Sequence, residues 1–356
     1  MKNLFSPLNI RELELKNRIV LSPMQQYSSK DGFANDWHLV HYGSRAVGGA
    51  GLIITESAVV NPIGANTKSD LGIWKDEHIE GLKRITDFIR ENGAKSAIQL
   101  AHFGSKGSKS HPNDGFKPIS IEEGGWQTVS SSEKIPFAGM STPKKLSTKE
   151  IRSIQQDFVK AAIRSVSAGF DAIEIHAAHG YLFHQFYSLL INDRTDEYGG
   201  SFDNRILFLT ETVEKIRKVI PTAMPLLVRI SAVDYVENDP NAWGIDDSIL
   251  LVKKLTALDV DVVTASGGGF VWVDKSNIME GYQVPFAEAI KKETGVITAS
   301  VGGIKSVAFA NEIIETGKAD LVVIAREHLR NPYFTHQAAK ELGQTSEVPW
   351  QYKRAY

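Results

Sequence analysis

Along this chain, short runs of β-branched and aliphatic residues alternate with longer segments whose apolar positions recur every three or four residues. The first pattern suits a strand and the second an amphipathic helix, so their alternation predicts repeated βα units and a parallel sheet. Eight strands are predicted: RIVLSPM (18–24), GLIITESAVV (51–60), KSAIQLAH (95–102), DAIEIHAAH (171–179), PLLVRISA (225–232), VDVVTASGGG (260–269), VITASVGGI (296–304) and ADLVVIARE (319–327). Several are apolar almost throughout, as strands covered on both faces are. The helices between them carry their own punctuation. Ser147 and Glu150 form a capping-box pattern that opens a helix ending near Ala168-Gly169, and the helical spacing of EHIEGLKRITDFIRENG (77–93) stops at Gly93.

Eight units without a Pro-, Gly- or Ser-rich linker predict one α/β domain over residues 1–356, a single (β/α)8 TIM barrel with an N-terminal cap, in preference to an open doubly wound sheet. Residues 103–147, containing HPNDG, EEGGW and IPFAGM, are an insertion after the third strand and a candidate lid, since loops that long usually serve function or move.

Composition narrows the function classes. A chain of 356 residues, 42% hydrophobic and 23% charged, can bury a large core. With 40 Lys+Arg against 42 Asp+Glu, the net charge of -2 gives no electrostatic reason to expect nucleic acid as a partner. Cysteine is absent, which excludes disulfides, thiolate metal sites and cysteine nucleophiles and fits a reducing compartment. The N-terminal MKNLFSPLNIRELELKNR breaks every apolar run with a charge or proline, unlike a signal peptide, and no run elsewhere approaches the roughly 18 residues that span a bilayer. A soluble, cytoplasmic protein without a membrane partner is expected.

Barrels of this type build their chemistry at the C-terminal ends of the strands, and here those ends are polar. They carry Ser22 to Tyr27, then Glu56 and Ser57, Gln99 and His102, His176 and His179, Arg229, Ser266 with three glycines, Gly302-Gly303, and Arg326. A glycine-rich turn and a forked cation after the last two strands suit a phosphate; the alternative is a tight turn and a surface ion pair. Arg229, set among Leu226, Leu227, Val228 and Ile230, must enter the barrel mouth or meet a carboxylate. The Gln99 amide suits a heterocycle with donors and acceptors, or an internal hydrogen bond.

HAAHGYL (176–182) alone leaves four roles open for its histidines: metal ligands, acid–base groups, donors to a substrate oxygen, or core residues. A barrel metal hydrolase needs three or more ligands in one place. Only His102, His176 and His179 offer themselves, with no acidic residue beside the pair, so no metal is expected.

Taken in order, LKNRIVLSPM, Tyr27-Ser28-Ser29, DLGIWKDEHIEGLKRI, IQLAHFG, EEGGW, GFDAIEIHAAHGYLFHQF through NDRTDEYGGSFDNR, GYQVPFAE and ADLVVIAREHLRNPYF resemble the old yellow enzyme family of FMN-dependent ene reductases, in particular its thermophilic-like bacterial branch, over nearly the whole chain. The resemblance implies FMN across the barrel mouth, with Ser22, Pro23, Met24 and Gln25 along it, Ser57 and Gln99 at its polar edge, and Arg229 near N1 and the C2 oxygen. Gly303, Ala325 and Arg326 would hold the phosphate. It further implies ping-pong chemistry in which NAD(P)H reduces the flavin and an α,β-unsaturated carbonyl compound then accepts the hydride. In it, His176 and His179 hold the substrate oxygen, Tyr181 gives the proton, and Tyr27 faces the substrate. Oxidation or demethylation within the same family is the alternative. The branch usually carries cysteine where this chain has Gln25, which implies an altered flavin potential and pocket. The tail WQYKRAY, within residues 343–356, resembles a segment that enters a neighbouring subunit's site, so Arg354 and Tyr356 are expected to act in trans in a homodimer or homotetramer.

Overall fold

The protein, seen in a computed structural model that describes residues 2–271 and 278–356, begins with an antiparallel hairpin of β1 (Leu8–Ile10) and β2 (Leu13–Leu15). Eight parallel strands then close into a barrel: β3 (Ile19–Leu21), β4 (Leu52–Val59), β5 (Lys95–Ala101), β8 (Ala172–Ala177), β9 (Leu226–Ser231), β10 (Val262–Ser266), β11 (Ile297–Val301) and β12 (Leu321–Ile324). The two short strands missing from that series, β6 (Val129–Ser130) and β7 (Lys144–Lys145), pair with each other inside the insertion. Around the barrel run α1 (Asp36–Val47), α2 (His78–Glu91), α3 (Thr148–Ser167), α4 (Leu182–Tyr187), α5 (Phe202–Arg217), α6 (Ile245–Thr256), α7 (Val284–Thr294), α8 (Val307–Glu315), α9 (Arg326–Arg330) and α10 (Phe334–Glu341).

All eight predicted strands form, but each ends earlier than its apolar run suggests. The run 260–269 leaves the ladder at Ser266, 296–304 at Val301, and 171–179 at Ala177. The residues beyond turn sharply: Gly268, Gly269, Gly302, Gly303 and His179 all have positive φ, which a strand cannot hold. Those last residues therefore belong to the loops that build the barrel mouth.

The helices follow their sequence cues. Ser147 Oγ accepts from Glu150 N while the Glu150 carboxylate accepts from Ser147 N, so the capping box opens α3 as predicted. In α2 the buried Leu82, Ile85 and Ile89 recur at helical spacing and face the barrel. Inside the barrel, Val20, Leu52, Ile54, Ala97, Ala172, Leu227 and Val262 form one apolar cluster with Ile10, Leu13 and Leu15, so the β1–β2 hairpin is a cap that seals the N-terminal end. Among the described residues no helix is long and apolar enough to cross a membrane.

The insertion is tied down at several points. Trp126 Nε1 donates to Ile63 O at 3.1 Å, and Arg194 donates to Ser131 O and Leu146 O at 3.2 and 2.6 Å. The C-terminal tail folds back on its own chain: the Tyr352 ring lies 6.0 Å from that of Tyr333, and the Tyr356 ring lies 5.3 Å from that of His336 on α10.

Candidate active site

The polar end of the barrel begins with an irregularity. The register of β4 against β5 slips between Ile54 and Ser57, the mark of a β-bulge. Leu52 and Ile54 face the barrel interior, so simple alternation would send Glu56 inward; the bulge reverses this. Glu56 instead faces α1, where it takes the Tyr42 hydroxyl at 3.2 Å, the Gln26 amide at 2.9 Å and His38 Nε2 at 3.2 Å. Ser57 turns inward.

From Ser57 a chain of hydrogen bonds crosses the barrel. Ser57 Oγ donates to Gln99 Oε1 at 2.5 Å, Gln99 Nε2 donates to Glu174 Oε1 at 2.7 Å, and Thr264 Oγ1 donates to Glu174 Oε2 at 2.7 Å. Gln99 thus has its oxygen and one N–H in internal bonds, which leaves its second N–H. Glu174 was not among the expected site residues; a carboxylate inside the apolar run DAIEI carries the same signal as Arg229 inside LLVRI. Burial pushes the Glu174 carboxyl up, and the Arg229 cation with the two donors holds it down. Burial likewise pushes Arg229 down, with Glu174 opposing, and Arg229 Nε has no partner among the described residues.

Above this layer stands the histidine segment. His176 is on β8, whereas His179 lies past the strand in a turn with φ of 61°. That turn is pinned by three contacts: His179 N donates to Ser231 Oγ at 2.8 Å, Lys106 Nζ donates to His179 O at 2.8 Å, and Gly180 N donates to His184 Nδ1 at 2.9 Å. His184 in turn meets the buried Asp234 at 2.7 Å. The rings of His176 and His179 are 5.0 Å apart, and Tyr181 is 4.9 and 6.2 Å from them. Burial, the Arg229 cation and Lys106 hold both histidines well below their usual pKa, so both are neutral. Burial pushes the Tyr181 hydroxyl up to about 12, so it keeps its proton at neutral pH. Tyr27 is raised by burial, with Tyr181 adding, and packs edge-on against His111 and Phe116.

Lys106 is the second residue that the sequence did not single out. Its ammonium bridges His179 O and Gly269 O, each at 2.8 Å, and stands 5.4 Å from the centre of the Tyr181 ring. Burial lowers its pKa to about 7. In sequence it is an ordinary lysine in a polar loop.

A cavity of ≈ 680 Å³ opens beside these groups, with His179, Lys106, Arg229 and Ser266 at one end and Gly302, Gly303, Ala325 and Arg326 at the other. At the far end Gly302 and Gly303 hold φ of 112° and 68°, and a Cβ on Gly302 would strike Gln283 at 2.6 Å. Arg330 pairs with Glu327, and among the described residues no carboxylate lies in salt-bridge range of Arg326. Near β3, both amide atoms of Gln25 are buried without a partner among the described residues. Ser22 is buried with its amide on Ile324 O at 2.9 Å, and Met24 packs against the apolar cluster that includes Tyr42 and Ala46. Arg354 and Tyr356, expected in a neighbouring subunit's site, lie exposed on the tail, where the Tyr356 ring packs on His336. Among the described residues no group of three or more His, Asp or Glu side chains could hold a metal ion.

Buried polar atoms of Arg229 and Gln25 that have no partner among the described residues, and a glycine turn beside Arg326, fit an anionic, polar-edged cofactor. The chain belongs to the NADH:flavin oxidoreductase / NADH oxidase family, the old yellow enzyme family, whose profile matches residues 3–345, and it is an NAD(P)H-dependent oxidoreductase whose family points to flavin. It is 44% identical over 358 aligned residues to the NADPH dehydrogenase of Bacillus subtilis (strain 168), covering 100% of this chain and 99% of that one. Morphinone reductase in complex with tetrahydroNAD superposes with a TM-score of 0.78 at 26% identity, over 98% of this chain and 93% of that one. A 2-naphthoyl-CoA reductase shares the fold with a TM-score of 0.86 at 24% identity; this chain spans 52% of its length and 96% of its own.

Proposed function

We propose that this protein uses FMN, held tightly without a covalent bond, and NAD(P)H to reduce the activated C=C bond of α,β-unsaturated carbonyl compounds. The observation that carries the reading is the cluster of two neutral histidines and a protonated tyrosine around one side of the cavity. When bound, FMN supplies the hydride, received from the nicotinamide and passed to the β-carbon.

The chain's own residues do the rest. Ser22, Pro23, Met24, Gln25, Ser57, Gln99 and Arg229 would hold the ring system, and Gly303, Ala325 and Arg326 the phosphate. His176 and His179 donate hydrogen bonds to the substrate carbonyl oxygen, where negative charge grows as hydride arrives. Each such donor contributes about 3 to 4 kcal/mol in comparable sites. Tyr181 then gives its proton to the α-carbon as general acid, and the apolar surroundings that keep it protonated exclude competing water. Tyr27 flanks the substrate opposite.

Anaerobic reduction with NADPH followed by mixing with 2-cyclohexenone tests this. Rapid return of the oxidised flavin spectrum is expected, and Tyr181→Phe should slow that step about 100-fold, within the range for loss of a general acid, while leaving reduction by NADPH unchanged. No reoxidation by a panel of enones would exclude the activity. We also assign Arg354 and Tyr356 to the site of a neighbouring copy in a homodimer or homotetramer. Deleting residues 351–356 should then raise the substrate KM, and a kinetically silent deletion would remove them from the site.

A further inference from the structure

A neutral imidazole carries one hydrogen, so His179 can present either an N–H donor or a bare acceptor nitrogen to the cavity. Its Nε2 is already engaged, 2.7 Å from Ser266 Oγ at the end of β10. Its Nδ1 has no hydrogen-bond partner among the described residues, and the residue lines the cavity. Which nitrogen holds the hydrogen therefore depends on which way the Ser266 hydroxyl points.

That direction is settled one residue further out. Gln283, at the start of α7, satisfies both amide atoms when its oxygen accepts from Gly267 N at 2.8 Å and its nitrogen donates to Val301 O at 3.2 Å. The same nitrogen then stands 3.5 Å from Ser266 Oγ with a second hydrogen to offer. That nitrogen has no lone pair to accept with, so the Ser266 hydroxyl, 3.5 Å away, must donate elsewhere. Among the described residues the acceptor in reach is His179 Nε2. With the hydrogen on Nε2 instead, Ser266 would face two donors and its own hydrogen would have no acceptor. The backbone contacts to Ser231 and Lys106 keep the ring from swinging away.

We propose that Ser266, backed by Gln283, is a positioning residue that fixes His179 in the Nδ1–H tautomer, so that the ring offers a donor to the cavity. His176 is fixed the other way: its Nδ1 accepts from Ala178 N at 3.2 Å, leaving the hydrogen on Nε2. The two histidines thus present opposite ring nitrogens as donors. The proposal rests on the ene-reductase reading for its consequence, but the tautomer itself is a property of the resting protein.

The test uses FMN-loaded protein labelled with 15N-histidine. Two-bond 1H–15N correlation spectra distinguish the tautomers, and the His179 signals are identified by their loss in His179→Asn. The expected result is an Nδ1–H ring in the wild type, a shift toward Nε2–H in Ser266→Ala, and the wild-type pattern in Ser266→Thr. In stopped flow, Ser266→Ala should slow flavin reoxidation by 2-cyclohexenone by about 10- to 100-fold, up to the loss of one oxyanion donor. A wild-type ring protonated at Nε2, or a tautomer unmoved by Ser266→Ala, overturns the proposal. If Ser266→Ala does not fold, the wild-type spectrum alone decides. Failure of wild-type protein to reduce any enone would instead defeat the functional reading and leave the tautomer result standing.

Discussion

The two ends of the barrel interior are built from the same strands and differ completely. At the N-terminal end the inward positions are Ala97, Ala172, Leu227 and Val262, packed on the β1–β2 hairpin. Two residues further along each strand, on the same face, stand Gln99, Glu174, Arg229 and Thr264. One step of the pleat converts a sealed apolar plug into a buried polar layer. The division teaches where stability and function are stored: the lower layer needs only volume and apolarity, while the upper layer keeps Glu174 and Arg229, two buried ionisable groups that lower each other's burial penalty.

That contrast can be broken on a single strand, and the larger effect belongs to its lower end. Leu227, 1% exposed, should cost about 2 to 5 kcal/mol of stability when changed to alanine, the range for a buried leucine. Urea unfolding of the apoprotein would read this, and the FMN dissociation constant of the folded fraction should stay within about twofold. A comparable loss of flavin affinity would mean that the lower layer supports the site directly.

Two positions on, Arg229→Met should do the reverse. A hydrogen bond to a charged group contributes about 1.5 to 3 kcal/mol, so FMN binding should weaken by roughly 10- to 150-fold in a fluorescence titration. An unchanged dissociation constant would remove Arg229 from the cofactor's edge and leave it as a counter-charge for Glu174.

How much of this was legible in the sequence follows from the same contrast. The lower layer and the strands could be read because apolar runs reflect local burial, and Arg229 could be read because a charge interrupts such a run. Glu174 obeys that rule too and was passed over. Ser57 could not be placed by alternation, because the bulge between Ile54 and Ser57 inverts it; its role came from resemblance. Lys106 was invisible for a different reason. Its burial is created by His179 and Gly269, which arrive from loops 73 and 163 residues away, and nothing local to the insertion records them. The tail likewise has no local pattern to say that Tyr356 settles on His336.

Lys106 also supplies the smallest and most specific expectation, because its ammonium bridges two of the loops above the polar layer. Its pKa of about 7 in the folded protein lies below the ordinary 10.5, so between those values the unfolded chain binds more protons than the native one. Stability must therefore rise with pH across that window: the burial penalty is complete below about pH 7 and is relieved as pH approaches the unfolded value. Wild-type protein should gain up to about 1 kcal/mol per pH unit between roughly pH 7.5 and 9.5 relative to Lys106→Met, measured by urea midpoints. Parallel profiles would mean that the amine reaches solvent. The hydrogen bonds need not be lost as the proton leaves, since a neutral amine still has two N–H groups for the two carbonyls it bridges. What disappears is the charge that helps keep His176 and His179 neutral, so deprotonation alters the electrostatics of the upper layer while leaving its geometry in place.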